Sequence, residues 1–166
     1  APSGMTNYRR IGEVATNASS ASWATADAFS VSYLGKIKQQ KVFQSGAVET
    51  GATAIPIDDT VPQNTEGDQF YTLTFTPLNS NSMLYFEGRL WAASSAGGHI
   101  SACVYRSPYL GAFICGSHGV GDANIIYPIP VRGKMKAGTT STITFTVRAG
   151  SGGTTTLNGH TGGRML

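Results

Sequence analysis

Thr142-Ile143-Thr144-Phe145-Thr146-Val147-Arg148 decides the fold class, because Ile143, Phe145 and Val147 fall on one side of an extended chain and the threonines and Arg148 on the other. β-Branched and aromatic residues at period two suit a pleated, half-buried surface. Tyr71, Leu73 and Phe75 repeat the pattern between Thr72, Thr74 and Thr76. Leu84, Phe86 and Leu90 alternate with Tyr85, Glu87 and Arg89, and Gly88 takes an inward position that a bulge or a close neighbour would explain. This last run is expected to be a central strand.

Weaker candidates lie at residues 8–14, 29–34, 37–43, 100–105, 112–115 and 125–131. Pro128 and Pro130 mark the last of these as an edge strand or one broken by bulges, since proline cannot donate to a ladder. Short strands at 154–157 and 164–166 complete the set. No stretch shows convincing helical spacing. Glycine clusters at 96–98, 116–121, 137–138, 150–153 and 159–163 read as loops. Residues 17–25 read as a long loop or linker. A boundary near 46–51 is expected to separate an N-terminal arm, residues 1–45, from a β-sandwich body, residues 46–166.

The composition agrees. The chain has 166 residues, enough for one domain with a sizeable core, of which 13% are charged and 21 are glycine. No apolar run approaches the roughly 18 residues of a membrane-spanning helix, and no secretory signal is present, so a soluble protein without membrane insertion is expected. The chain opens at Ala1 rather than at a methionine and is expected to be a piece of a longer polypeptide. Its net charge is +3, but the basic residues are scattered along the sequence, the densest group being Lys36, Lys38 and Lys41. Nucleic-acid binding needs a dense basic face with interleaved aromatics, so no nucleic-acid partner is expected.

Cys103 and Cys115 are too few for a disulfide framework and are not spaced as a zinc knuckle. A hairpin centred on Tyr109 would set them opposite one another. Free buried thiols are nevertheless expected, since a reducing cytosol offers no easy route to a bond.

Candidate chemistry is sparse. Asp58, Asp59, Glu66 and Asp68 put four carboxylates in one short stretch, which could bind calcium or act as an acid and base pair; the preferred reading is a structural turn bonded to its own backbone. His99, His118 and His160 stand apart beside glycines and read as loop residues rather than metal ligands. Ser101 and Ser117 near His118 lack a nucleophile elbow, and the glycine loops lack the lysine of a phosphate loop. No catalytic, metal or cofactor-binding residue is assigned. Tyr105, Arg106, Tyr109 and Phe113 are the local group worth singling out, because aromatics and arginine beside a proline-glycine turn make good contacts for sugar rings or protein epitopes. Packing in a subunit interface is the competing reading.

Ile55-Pro56-Ile57-Asp58-Asp59-Thr60-Val61-Pro62-Gln63-Asn64-Thr65-Glu66-Gly67, with Lys136-Ala137-Gly138-Thr139-Thr140-Ser141-Thr142, Thr144 to Gly150 and Gly153-Thr154-Thr155-Thr156-Leu157-Asn158-Gly159, resembles a C-terminal module of bacteriophage tail fibre and tail-tip proteins. The resemblance covers roughly residues 50–166. The shorter Pro2-Ser3-Gly4-Met5-Thr6-Asn7-Tyr8-Arg9-Arg10-Ile11-Gly12 is similar to a segment that precedes this module. Residues 99–127 depart most from the pattern.

The resemblance implies a jelly-roll-like antiparallel β-sandwich, commonly a homotrimer, made in the host cytoplasm and carried on the virion tail. Its partners would be further copies of itself, other phage tail proteins and a host cell-surface glycan or protein. It implies host attachment rather than an enzyme, with no cofactor. Rival readings are the accessory domain of a polysaccharide-degrading tailspike and a purely structural trimerisation or decoration protein. Threefold association would also cover the exposed strand edges of a Thr-rich, low-charge β-protein.

Overall fold

The computed structural model describes residues 37–160 and a short strand at residues 163–164. The expected strands at 8–14 and 29–34 lie outside the described residues, as do Met165 and Leu166. Contacts divide the chain into Ala1–Gln40 and Lys41–Leu166. Of the first unit, residues 37–40 are described and are exposed outside any strand.

The second unit is all-β, with no helix among the described residues. Its strands are β1 (Glu49–Gly51), β2 (Asp68–Phe75), β3 (Met83–Ser94), β4 (Gly98–Arg106), β5 (Ile114–Val120), β6 (Ile126–Lys136), β7 (Ile143–Ser151), β8 (Thr155–Leu157), β9 (Gly159–His160) and β10 (Gly163–Arg164). They form two four-stranded antiparallel sheets with neighbour orders β1-β8-β3-β6 and β2-β7-β4-β5; β9 and β10 pair separately.

The alternation read in the sequence is what joins the sheets. Ile143, Phe145, Val147 and Ala149 of β7 point into a core shared with Ile100, Ala102 and Val104 of β4, Leu90 and Ala92 of β3, and Ile129 and Val131 of β6. Phe86, Phe113 and Phe145 meet at ring centroids 5.7 to 6.3 Å apart. A bulge between Gln69 and Tyr71 lets both Phe70 and Tyr71 pack on the core.

β3 has partners on both sides, as expected, although β8 reaches only Ala92 to Ser94. Its register with β6 is unbroken, so the close neighbour explains Gly88: an added Cβ would lie 3.1 Å from Val131 Cγ2 of the facing strand. β6 is an edge strand, and the unbroken ladder puts the missing donors of Pro128 and Pro130 on the side away from β3.

Three expectations are corrected. Residues 37–43 form no strand; Ile37 and Val42 are exposed, leaving their alternation no face to bury. Gly116 to Val120 belong to β5 rather than to a loop, and Gly150 lies in β7. Gly116 is small because β5 and β6 touch there: a Cβ would overlap the Pro130 carbonyl oxygen. Finally, Cys103 and Cys115 are bonded rather than free. The register pairs them directly across the β4–β5 hairpin, with Cα atoms 4.1 Å apart, within reach of a bridge.

The start of the second unit lies along β2. Lys41 Nζ donates to the Thr74 carbonyl at 2.7 Å, and the Phe43 ring sits 5.2 Å from Tyr71. Asn158, at φ 55°, donates from Nδ2 to the Ser45 and Ala47 carbonyls.

Three variants are expected to differ from the parent on unfolding in urea. Gly116→Ala is expected to lower stability by about 2 kcal/mol or more, because backbone must move, and Gly88→Ala by about 1 kcal/mol or less, because a side chain can give. Removing the bridge with Cys103→Ala and Cys115→Ala together is expected to cost about 2–3 kcal/mol through loss of loop-closure entropy.

Candidate functional site

The outer face of the β2-β7-β4-β5 sheet is crossed over β4 and β7 by residues 52–67, a strap. Ile55 is buried against Cys103 and Tyr105, which makes β4 buried on both faces from Ile100 to Tyr105. The strap crosses so close to Gly150 that a Cβ there would meet Ile55 N and Thr53 O. Arg148 fastens it, donating from Nε to the Glu66 carbonyl at 2.9 Å and from Nη2 to the Gly67 carbonyl at 2.6 Å. Gly67 has φ 64°, a left-handed conformation suited to glycine.

Three of the four carboxylates serve this strap. Asp68 accepts from the Thr53 amide and hydroxyl at 2.7 and 3.0 Å, and Glu66 accepts from the Gln63 amide at 3.0 Å. Asp58 accepts from the hydroxyl and amide of Thr60, which hold its carboxyl below the usual range. Asp58 and Glu66 bond backbone two and three residues away, as turn residues do, whereas Asp68 ties β2 to Thr53 fifteen residues earlier. No group of three or more His, Cys, Asp or Glu that could hold a metal occurs among the described residues.

The histidines do not converge. His99 Nε2 lies 3.3 Å from the Ile55 carbonyl, and the His118 ring sits 4.7 Å from Tyr127. Ser117 bonds Ser101 and the Ile100 carbonyl. As consecutive residues of one strand, Ser117 and His118 point to opposite faces and make no nucleophile–base pair.

Of the four singled-out residues, Arg106, Tyr109 and Phe113 come together around one hollow and Tyr105 lies apart. Tyr105 is buried under the strap, and Phe113 packs between Phe86 and Phe145 on the core side. Arg106 and Tyr109 stay together at the tip of the β4–β5 hairpin, where the guanidinium lies 5.6 Å from the Tyr109 ring centroid and Nη2 donates to the Ala137 carbonyl at 2.9 Å. The Ser107–Pro108 peptide is cis. Tyr109 and Leu110 are each 62% exposed.

The tip is anchored to the strap by the Asn64 amide donating to the Leu110 carbonyl and the Ala112 amide to Pro62. A shallow, largely apolar hollow of about 410 Å³ lies there, lined by Arg106, Tyr109, Leu110, Gly111, Ala112, Phe113 and Met135. Met135 comes from β6 and Leu110 from the loop. No local pattern marks Met135, because only the packing of strands brings it to the tip. A second hollow runs between the strap and β4–β5, with the disulfide, Ser101 and Ser117 along it.

Comparison with models of protein families and with curated proteins finds no match for the chain. No helix among the described residues is long and apolar enough to cross a membrane.

Tyr105 carries the one buried side-chain polar atom without a hydrogen-bond partner among the described residues. Burial, and then the Glu66 charge, push its phenol up to about 12, with Arg148 opposing. An unfolded tyrosine ionises near about pH 10, so above that the unfolded chain releases a proton that the folded chain retains. Stability is therefore expected to fall by roughly 1–2 kcal/mol as pH rises from about 10 to about 12. Tyr105→Phe is expected to remove this dependence while leaving stability at neutral pH unchanged or higher by up to about 1 kcal/mol. Urea midpoints across that pH range, with tyrosinate absorbance, check both.

Proposed function

We propose that the chain is a host-attachment module of a bacteriophage tail fibre or tail tip, a jelly roll acting as a homotrimer without catalysis. The strand order supports it. In sequence numbering, one sheet reads 1-8-3-6 and the other 2-7-4-5, so successive strands repeatedly cross between sheets in the manner of two interlocked Greek keys. Jelly rolls of this kind recur in viral surface proteins and lectins.

The resemblance to tail proteins adds the virion setting. Its strongest string forms the strap, its later strings form β7 and the β8 region, and the divergent residues 99–127 form the β4–β5 hairpin with its exposed tip. A rigid sandwich presenting an exposed loop suits specific recognition, and three copies on one fibre would multiply weak contacts. The observation that carries the reading is the hollow beside the Arg106–Tyr109 pair, an exposed ring and a cation beside apolar carbon, chemistry suited to a sugar ring or a protein epitope.

Labelled chain incubated with a panel of bacterial strains tests it. Binding to susceptible cells, weakened roughly tenfold by Tyr109→Ala, is expected. A chain that sediments as a trimer yet binds no strain would replace attachment with a purely structural role.

A further inference from the structure

The two sheets differ in what covers them. Along β3 and β6, alternate residues project from the face away from the core: Tyr85, Glu87, Arg89 and Trp91 on one strand, and Arg132, Lys134 and Lys136 on the other. The register sets Tyr85 beside Lys134 and Glu87 beside Arg132. Tyr85 is 78% exposed, and the Glu87 and Arg132 side chains are each 71% exposed.

Folding thus assembles a basic face from residues that the sequence scatters. Arg89, Arg132, Lys134 and Lys136 against Glu87 leave +3 on this face, as large as the formal +3 of the whole chain. The ion pair between Arg132 and Glu87 at 2.7 Å is the only salt bridge shown among the described residues, and it leaves the other three cations facing solvent. From Met83 to Trp91 the face is about 27 Å long, with side chains on one strand recurring every ~7 Å.

We infer that this face binds an acidic polysaccharide. Its charge selects a polyanion. Tyr85 offers a flat ring on which a sugar can stack, with Lys134 at its side for a carboxylate. Glu87 retains acceptor capacity for sugar hydroxyls, a donor type that the charged edge of a phosphodiester strand lacks. The face stands on its own geometry, and only its place in host attachment rests on the reading above.

The test uses the full chain and immobilised polygalacturonate, with neutral dextran, duplex DNA and phosphatidylglycerol vesicles as the other arms. Binding to polygalacturonate and not to dextran is expected, weakening roughly tenfold between about 50 and 300 mM salt. Lys134→Glu with Lys136→Glu is expected to lose at least about tenfold, and Tyr85→Ala about threefold, whereas Lys38→Glu with Lys41→Glu, matched in net charge, loses far less. Lys134→Gln and Arg89→Gln, milder changes at exposed positions, are expected to lose a fewfold with unfolding midpoints unchanged.

Equal loss in the matched control overturns the inference, as does binding to DNA or vesicles as tight as to the polysaccharide and indifferent to Tyr85. So does a variant whose mass in solution drops, since the face would then be an interface between copies. If polygalacturonate is not bound while cells are bound through Tyr109, this inference falls and attachment stands. If polygalacturonate is bound through this face and no cells are, attachment falls and the inference stands.

Discussion

The guanidinium of Arg148 reaches out of β7 and donates to two successive carbonyls, those of Glu66 and Gly67. Much of the outer architecture of the β2-β7-β4-β5 sheet depends on that clamp. It fixes the end of the strap, and the strap in turn buries Ile55, Cys103 and Tyr105. A strand exposed on one face would need polar residues there; β4 instead carries Cys103 and Tyr105, because a second layer lies over it. An ammonium also has several donors, but on a flexible stem and without the fixed planar fork that spans the two carbonyls here.

The strap also sets the position of the hairpin tip. Through Pro62 and Asn64 it holds the backbone of Leu110 and Ala112, so the most exposed aromatic of the loop, Tyr109, stands on a braced support. The opposite sheet has no comparable cover along β3 and β6 among the described residues, and its cations meet solvent. One face of the sandwich is therefore occupied with holding itself together, while along β3 and β6 the other presents exposed side chains.

The fold class was legible because the decisive strands are half-buried, and period two shows only where one side is apolar and the other is not. β7, β2 and β3 met that condition. β4 read more weakly because both its faces are buried, and β5 was mistaken in part for a loop because contact with Pro130 demands Gly116. The disulfide was half legible: the symmetry of Cys103 and Cys115 about Tyr109 gave the pairing, but a reducing cytosol would keep thiols free. At the candidate site, Arg106 and Tyr109 were legible as neighbours in sequence. Tyr105 is turned under the strap by the parity of β4, Phe113 lines the hollow from the loop before β5, and Met135 and the basic face of β3–β6 arise from long-range register that no local window contains.

The pairing of β1 with β8 has a mechanical meaning. Glu49 faces Leu157, so in this antiparallel pair the chain enters through β1 and leaves β8 at the same end of the sandwich. Tension applied through both of those ends would load the three-residue ladder one rung at a time, as a zipper is opened, and would meet little resistance. Tension entering by one of them and leaving through the hairpin tip would instead be spread in shear along β4 and β7, whose ladder is seven residue pairs long. The module is thus weak to being pulled apart at its own ends and strong to being pulled upon from its tip.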